Sequence, residues 1–238
     1  MHVLSFEELN RYSRQMILDE VGVEGQQKLK QARVLVIGAG GLGCPVLQYL
    51  AAAGIGTIGI IDFDVVEIHN LHRQILYTAE DIGKRKAPTA ANRIKQSNPN
   101  VQTAVFEIML NEENAEEIIS QFDIVVDGSD NFVTRYLVND ICVKLGKPLV
   151  YGSIFKFEGQ LAVFNYKGSK NLRDIYPEPP NPEDAPSCSD IGVIGVIPGI
   201  VGLLMCQLVF QIQLGFPVDT NTIMVFNFNS FQLQKLSY

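Results

Sequence analysis

Apolar, β-branched runs alternate with stretches of helical periodicity through the first two-thirds of the chain. Arg33–Ile37 (RVLVI), Thr57–Ile61 (TIGII), Val101–Phe106, Asp123–Val126 and Leu149–Gly152 read as strands, because short apolar runs between turn residues suit strands buried on both faces. Between them, Leu42–Ala53, Pro88–Gln96, Glu112–Ser120 and Phe132–Leu145 read as helices. Pro88 falls in a first turn, where its missing N–H is tolerated. This alternation predicts parallel pairing with right-handed crossovers. Beyond Gly152 the pattern changes. Gly159–Asn165 alternates like a strand with one exposed face, and Thr222–Phe228 with Phe231–Leu236 reads as a closing hairpin pair. Asn171–Pro186 is rich in Pro, Glu and Asn and predicts a loop without regular structure, a length that goes with function or mobility. No internal repeat is found. The fold class expected is α/β: a Rossmann-like, doubly wound, mostly parallel sheet with a C-terminal antiparallel extension and an N-terminal helical arm. One domain is expected, with the arm over 1–30, a nucleotide-binding core over 31–152 and a further region over 153–238.

Ile191–Val218 carries no charged residue over a length that could span a bilayer. Gly192, Gly195, Pro198, Gly199, Gly202 and Gly215 interrupt it, and Gln207 and Gln211 share one helical face. It therefore reads as a buried helix roofing a sheet, not a membrane span.

Composition narrows the function classes. At 238 residues, with 47% hydrophobic and 19% charged residues, the chain can bury a sizeable core. Its formal net charge of −7 makes it a poor generic nucleic-acid binder but leaves small nucleotides open. The four cysteines, Cys44, Cys142, Cys188 and Cys206, form no C-x-x-C pair, so zinc-site spacing is missing and reduced cytoplasmic thiols are expected. Met1–Asn10 holds Glu7 and Glu8 and does not read as a signal peptide.

Four local patterns carry candidate chemistry. Gly38-Ala39-Gly40-Gly41-Leu42-Gly43 follows a strand and opens a helix, where glycines let backbone N–H groups approach a phosphate at a helix N-terminus. Asp62 ends the next strand about 20 residues on, the place of a ribose-binding acid. The alternative is a glycine-rich turn with a helix-capping acid, and these features alone suit NAD or FAD as well as ATP. His69-Asn70-Leu71-His72-Arg73-Gln74 and then Lys86 follow. An oxidoreductase has no need of Arg73 and Lys86 here, whereas attack on the α-phosphate of ATP needs charge neutralised as pyrophosphate leaves; the plainer reading is solvated surface charge. Asp127-Gly128-Ser129-Asp130-Asn131 lies at the C-terminal end of a buried strand. A carboxylate there suits Mg²⁺ beside a triphosphate, while Asp130 or Asn131 could equally cap the next helix. Asp127 reads as the structural member and Asp130 as the functional one. Arg11-Tyr12-Ser13-Arg14-Gln15 reads as a surface helix, and spacing alone lifts nothing above that. Cys188 near a helix start could have an activated thiol, though an ordinary cysteine is the simpler reading. His2, His69 and His72 make no metal cluster or triad.

Together, Arg11–Gln15, Gly38–Gly43, Asn70–Gln74, Lys86 and Asp127–Asn131 resemble the ThiF/MoeB/HesA family, related to the activating enzymes of ubiquitin. The resemblance covers nearly the whole chain, and Gly192–Gly202 looks like the family's crossover helix. It implies an adenylyltransferase that uses ATP and Mg²⁺. Gly38, Gly40, Gly41 and Gly43 would form the nucleotide loop, with Gly41 against the nucleotide, and Asp62 would bind the ribose. Asn70, Arg73 and Lys86 would contact the phosphates, Asp130 with Asn131 would serve the Mg²⁺ end, and Asp64 and Gln74 would support. Arg14 is similar to an arginine that reaches the phosphates of the neighbouring subunit, which implies a homodimer. The partner implied is a ubiquitin-like sulfur-carrier protein ending in Gly-Gly, of MoaD or ThiS type, with a sulfur donor or sulfurtransferase acting on the adenylate. Cys188 matches a cysteine that in some relatives joins the carrier or receives sulfur, and the long loop before it would help clasp the carrier's tail. The family's two zinc-binding C-x-x-C pairs have no counterpart: Asn171 and Asp174 stand at the first, and the chain ends at Tyr238 before the second. A zinc-free variant is implied, with a more mobile segment around Asn171. An NAD(P)-binding oxidoreductase, a peptide-adenylating enzyme and an ATP-binding scaffold are the rival readings.

Overall fold

The computed structural model describes residues 3–180 and 192–238. In β1 (Arg33–Ile37) and β4 (Ile124–Asp127) every side chain after Arg33 is buried, as strands covered on both faces require. β2 (Thr57–Ile61) is buried from Ile58 onward, and β3 (Gln102–Phe106) is a half-exposed edge. β1 pairs in parallel with both β2 and β4, β2 with β3, and β4 with β5 (Leu149–Phe155). The direction then reverses. β6 (Glu158–Phe164), β7 (Thr222–Asn227) and β8 (Gln232–Ser237) add antiparallel, so the order is β3-β2-β1-β4-β5-β6-β7-β8. The expected parallel sheet with an antiparallel extension is what forms.

The period-two alternation of β1 splits the core. Val34 and Val36 face one cluster with α4 (Gly43–Ala53), α5 (Lys86–Ser97) and α9 (Val196–Leu214). Leu35 and Ile37 face another with α6 (Ala115–Ser120), α7 (Phe132–Leu145) and α8 (Leu172–Ile175). The arm is α1 (Phe6–Arg11), α2 (Ser13–Met16) and α3 (Gly22–Gln31). A Ser5–Glu8 capping box starts α1, and Lys30 on α3 pairs with Glu8 at 2.7 Å. Because β1 and β4 lie side by side but send α4 and α7 to opposite faces, a crevice opens at their C-terminal ends, where open α/β sheets bind ligands.

Two expectations need correction. The stretch expected to lack regular structure contains α8, capped by Asn171; its remainder from residue 181 lies outside the described residues. The helix expected to be buried is buried on one side only. α9 packs Val201, Met205, Cys206 and Val209 inward but leaves Val196 and Ile200 exposed. It is long and apolar enough to cross a membrane, yet its inner face belongs to the core cluster of the sheet.

Candidate active site

The glycine loop between β1 and α4 is shaped by its own backbone. Gly38 has φ of +85°, a left-handed value, and a Cβ there would stand 2.9 Å from the carbonyl oxygen of Gly128. Gly43 packs closer still, since a Cβ would stand 1.9 Å from the Gly38 carbonyl oxygen. The β1 and β4 turns therefore touch, main chain to main chain. The Ala39 N–H donates to Asp62 Oδ2 at 2.8 Å, and the Tyr77 hydroxyl donates to the Ala39 carbonyl at 2.8 Å.

This loop walls a cavity of about 200 Å³ at the switch between β1 and β4, into which Gly38, Gly40 and Gly41 face. Asp62 and Asp64 line it from the end of β2. The second Asp62 oxygen accepts the Asp64 N–H at 2.9 Å, so this acid organises the loop as well as facing the cavity. Burial pushes the Asp62 carboxyl above its usual range, opposed by the nearby Lys86 charge and by these two N–H bonds. Lys86, the first residue of α5, is 5% exposed and holds Asp64 at 2.9 Å. Arg73 also lines it, with Nη1 donating to the His69 carbonyl at 2.8 Å.

Asn70 is buried and does not line the cavity. Its carbonyl accepts the N–H groups of Arg73 and Gln74 at 3.0 and 2.9 Å, and its side chain accepts the Glu67 N–H. Asn70 thus builds the turn that presents Arg73 and Gln74. Gln74 is buried against the cavity, and its Oε1 has no hydrogen-bond partner among the described residues. A buried orphan acceptor on a cavity wall fits a polar ligand group. Gly43 lies at the α4 start rather than on the wall.

Asp130 and Asn131 line the cavity from the β4 end. Asn131 caps α7, its Oδ1 accepting the Thr134 N–H at 2.9 Å. Asp127 is 1% exposed and accepts the Ser129 N–H at 2.9 Å, holding the turn. Asp130 is exposed, and its carboxylate makes no hydrogen bond or ion pair among the described residues. One free carboxylate facing a phosphate-sized cavity suits Mg²⁺, which takes one or two carboxylates and completes its shell with phosphate and water. No group of three or more His, Cys, Asp or Glu among the described residues could hold a metal ion. Arg14 is exposed on α2, away from the cavity. Cys188 lies outside the described residues. Burial holds the other three thiols protonated, with Cys44 pushed up to about 12.

A second cavity of about 410 Å³ adjoins the first. Tyr136 on α7, Tyr151 on β5, Leu172 on α8 and Tyr176 form its apolar wall, with Gln160 on β6 and Glu178 as polar members. Asp130, Arg135, Ile154 and Val193 line both cavities. The segment after Asn171 is tied to α7. Arg173 holds Asp140 with two bonds at 2.7 and 2.8 Å, the Leu172 N–H donates to Asn139 at 2.9 Å, and the Tyr136 hydroxyl lies 2.9 Å from the Tyr176 carbonyl oxygen. Asn171 and Asp174, where the resemblance places cysteines, form a capping box with each other. Sequence reasoning missed Tyr77, Arg135 and Tyr151. Arg135 had one signal, its place four residues after the cap on the same helical face; the other two had none.

A sequence profile of the ThiF family matches residues 12–238. The chain is 53% identical, over 88% of its length and 79% of the relative's, to a sulfur carrier protein adenylyltransferase of Thermus thermophilus. It is 46% identical, over 97% of its length and 61% of the relative's, to a probable molybdopterin-synthase adenylyltransferase of Porphyra purpurea. It is 51% identical, over 89% of its length, to adenylyltransferase and sulfurtransferase MOCS3 of Danio rerio, of which it spans 46%. The crystal structure of E. coli MccB with MccA-N7isoAsn superposes with a TM-score of 0.83 at 21% identity, over 98% of this chain and 72% of that one, which establishes the shared fold.

Proposed function

The chain belongs to the ThiF family, and we propose that it is an adenylyltransferase that activates the C-terminal carboxylate of a ubiquitin-like sulfur-carrier protein with ATP. The observation that carries this reading is the placement of Arg73 and Lys86 on the walls of the glycine-loop cavity that Asp62 and Asp130 also line. Cations around a phosphate-sized space suit a reaction in which negative charge grows on a leaving pyrophosphate. They have no task in hydride transfer.

The triphosphate lies along the loop N–H groups at the start of α4, and the ribose lies toward Asp62. The carrier's tail occupies the larger cavity, so that its terminal carboxylate meets the α-phosphorus near Asp130. A carboxylate oxygen attacks, the bond to the bridging oxygen breaks, and acyl-adenylate and pyrophosphate result. Lys86 and Arg73 hold the departing charge. Mg²⁺, when bound at Asp130, would neutralise the phosphates further. Sulfide-level sulfur from a sulfur donor or sulfurtransferase then attacks the acyl carbon, the C–O bond to AMP breaks, and a thiocarboxylate and AMP result. The names of the relatives favour a molybdopterin-type carrier over a thiamin-type one. The chain spans about half the length of the MOCS3 and MoeZ relatives, 46% and 53%. A homodimer in which Arg14 reaches the neighbour's phosphates, a zinc-free body and a cytoplasmic location complete the proposal.

ATP–pyrophosphate exchange with purified MoaD-type and ThiS-type carriers tests it. Exchange that depends on one carrier, and on its terminal Gly, is expected. Exchange with neither, in protein that binds ATP, would overturn the carrier assignment in favour of a peptide substrate or a scaffold.

A further inference from the structure

Arg135 is the one cation that lines both cavities among the described residues. Its side chain is buried, 7% exposed. A buried guanidinium is tolerated only when its N–H groups are well partnered. Nη2 donates to the Ser129 carbonyl at 2.9 Å, and Nη1 donates to the Tyr151 hydroxyl at 2.6 Å. The guanidinium carbon also lies 5.0 Å from the Tyr151 ring centroid and 6.0 Å from that of Phe132.

Each contact has a consequence. The Ser129 carbonyl belongs to the rigid peptide plane that ends at the Asp130 Cα. Holding that oxygen fixes where Asp130 begins. Tyr151 stands on β5 and walls the larger cavity. The planar guanidinium sets these two partners at a fixed separation, which a lysine ammonium cannot do. The Asp130 carboxylate has no hydrogen bond or ion pair of its own among the described residues, so its aim depends on its backbone.

We propose that Arg135 is a positioning residue that ties the wall of the acceptor cavity, through Tyr151, to the Ser129–Asp130 peptide, and so sets Asp130 in register with an arriving carboxylate. This rests on the adenylation reading above and extends it. Acceptor seated against Tyr151 stiffens the same link that aims Asp130.

The test compares wild type with Arg135→Lys and Tyr151→Phe, with thermal midpoints recorded to confirm folding. Two readouts are taken: binding of radiolabelled ATP across a Mg²⁺ titration without acceptor, and acceptor-dependent pyrophosphate exchange resolved into kcat and KM. For Arg135→Lys, the Mg²⁺ needed for half-maximal ATP binding is expected to rise and kcat to fall about 100-fold, the scale of an ångström-sized misplacement. For Tyr151→Phe, which keeps the ring and loses one hydrogen bond, kcat is expected to fall about tenfold. A merely structural arginine would lower the thermal midpoint and leave the Mg²⁺ profile unmoved; folded variants with wild-type Mg²⁺ profiles and kcat overturn the proposal. Wild-type protein that exchanges with no carrier sinks the adenylation reading instead, and the Mg²⁺ titration still decides for or against Arg135.

Discussion

The two cavities share a wall and are built in opposite ways. The smaller is a product of main chain. Gly38 lets the β1 and β4 turns touch, Gly43 lets the β1 turn close on itself, Asp62 holds the loop by its N–H groups, and Asn70 shapes a turn by its carbonyl. The larger is a product of side chains, brought from α7, β5, β6 and α8 across the antiparallel half of the sheet. The difference teaches where change is tolerated. A site made of backbone contacts has few substitutes for its residues, whereas a wall of tyrosines and leucine can be reshaped one side chain at a time without moving the chain beneath. The smaller cavity therefore suits an invariant co-substrate, and the larger suits whatever acceptor the enzyme has to recognise.

That contrast is sharpened most by Lys86→Met. Adenylation is expected to fall about 10²- to 10³-fold, the usual effect of removing one charge-stabilising donor. The stability loss should be the smaller effect, because the Asp64 side chain left behind is 52% exposed and regains water, and the buried Asp62 carboxylate keeps its N–H bonds from Ala39 and Asp64. Pyrophosphate exchange and a urea titration check the two halves of this expectation. A large stability loss with an intact rate would make Lys86 a strut of the fold.

The next effect is one of stability, in the same half. Asp81 is 3% exposed in the turn before α5 and is bound by Lys84 at 3.0 Å, Arg93 at 2.6 Å and the Thr78 N–H at 3.0 Å. Burial pushes its carboxyl up, but the bonds from Arg93, Thr78 and Lys84 outweigh that and hold it well below the usual carboxylate range. A depressed folded value means that the stabilisation is present above the unfolded value of about 3.9 and is lost as pH falls from there toward the folded value. Asp81→Asn is expected to lose about 1.5–3 kcal/mol at pH 7, as for a hydrogen bond to a charged group. The gap to wild type should narrow as pH drops below about 4. Urea midpoints at pH 7, 5 and 3.5 measure it, and a gap that stays constant would remove the charged network as its cause.

The same contrast explains what was legible in the sequence. The parallel half announces itself in short-range signals: a glycine loop after a strand, an acid at the end of the next, a DGSDN turn before a helix. Each needs only neighbours in the chain, so the elements and most wall residues of the smaller cavity could be read directly. Asn70 was readable as part of the motif but not as the builder of its turn, because that depends on which of its groups faces inward. The larger cavity depends on pairings remote in sequence. Tyr151 meets Arg135 across the β5–α7 packing, and nothing in the run LVYGSIF marks that tyrosine over its neighbours. The Asn171 segment was misread for a related reason. Its Pro-rich composition is that of a loop, and the side chains that order it, Asn139 and Asp140, lie more than a turn inside a helix whose interior reads as ordinary.

That segment supplies the smallest and most discriminating effect. Arg173 clamps Asp140 and also donates to the Pro177 carbonyl at 2.8 Å, just before Glu178 and Pro180 reach the larger cavity. Both partners are well exposed, 39% and 44%, so solvent screens the pair, and Arg173→Ala is expected to lose only about 0.2–1 kcal/mol of stability. Its effect on function should be selective. Loosening the segment relaxes one wall of the acceptor cavity and leaves the glycine loop untouched, so KM for the carrier should rise while ATP affinity holds. Raising the salt concentration on wild type should move KM the same way, since exposed pairs weaken as the Debye length shortens. Carrier KM and ATP dissociation constant, measured on the same preparation, decide it. If both shift together, the two cavities do not work as separate parts, and Arg135 has more to transmit than the position of one carboxylate.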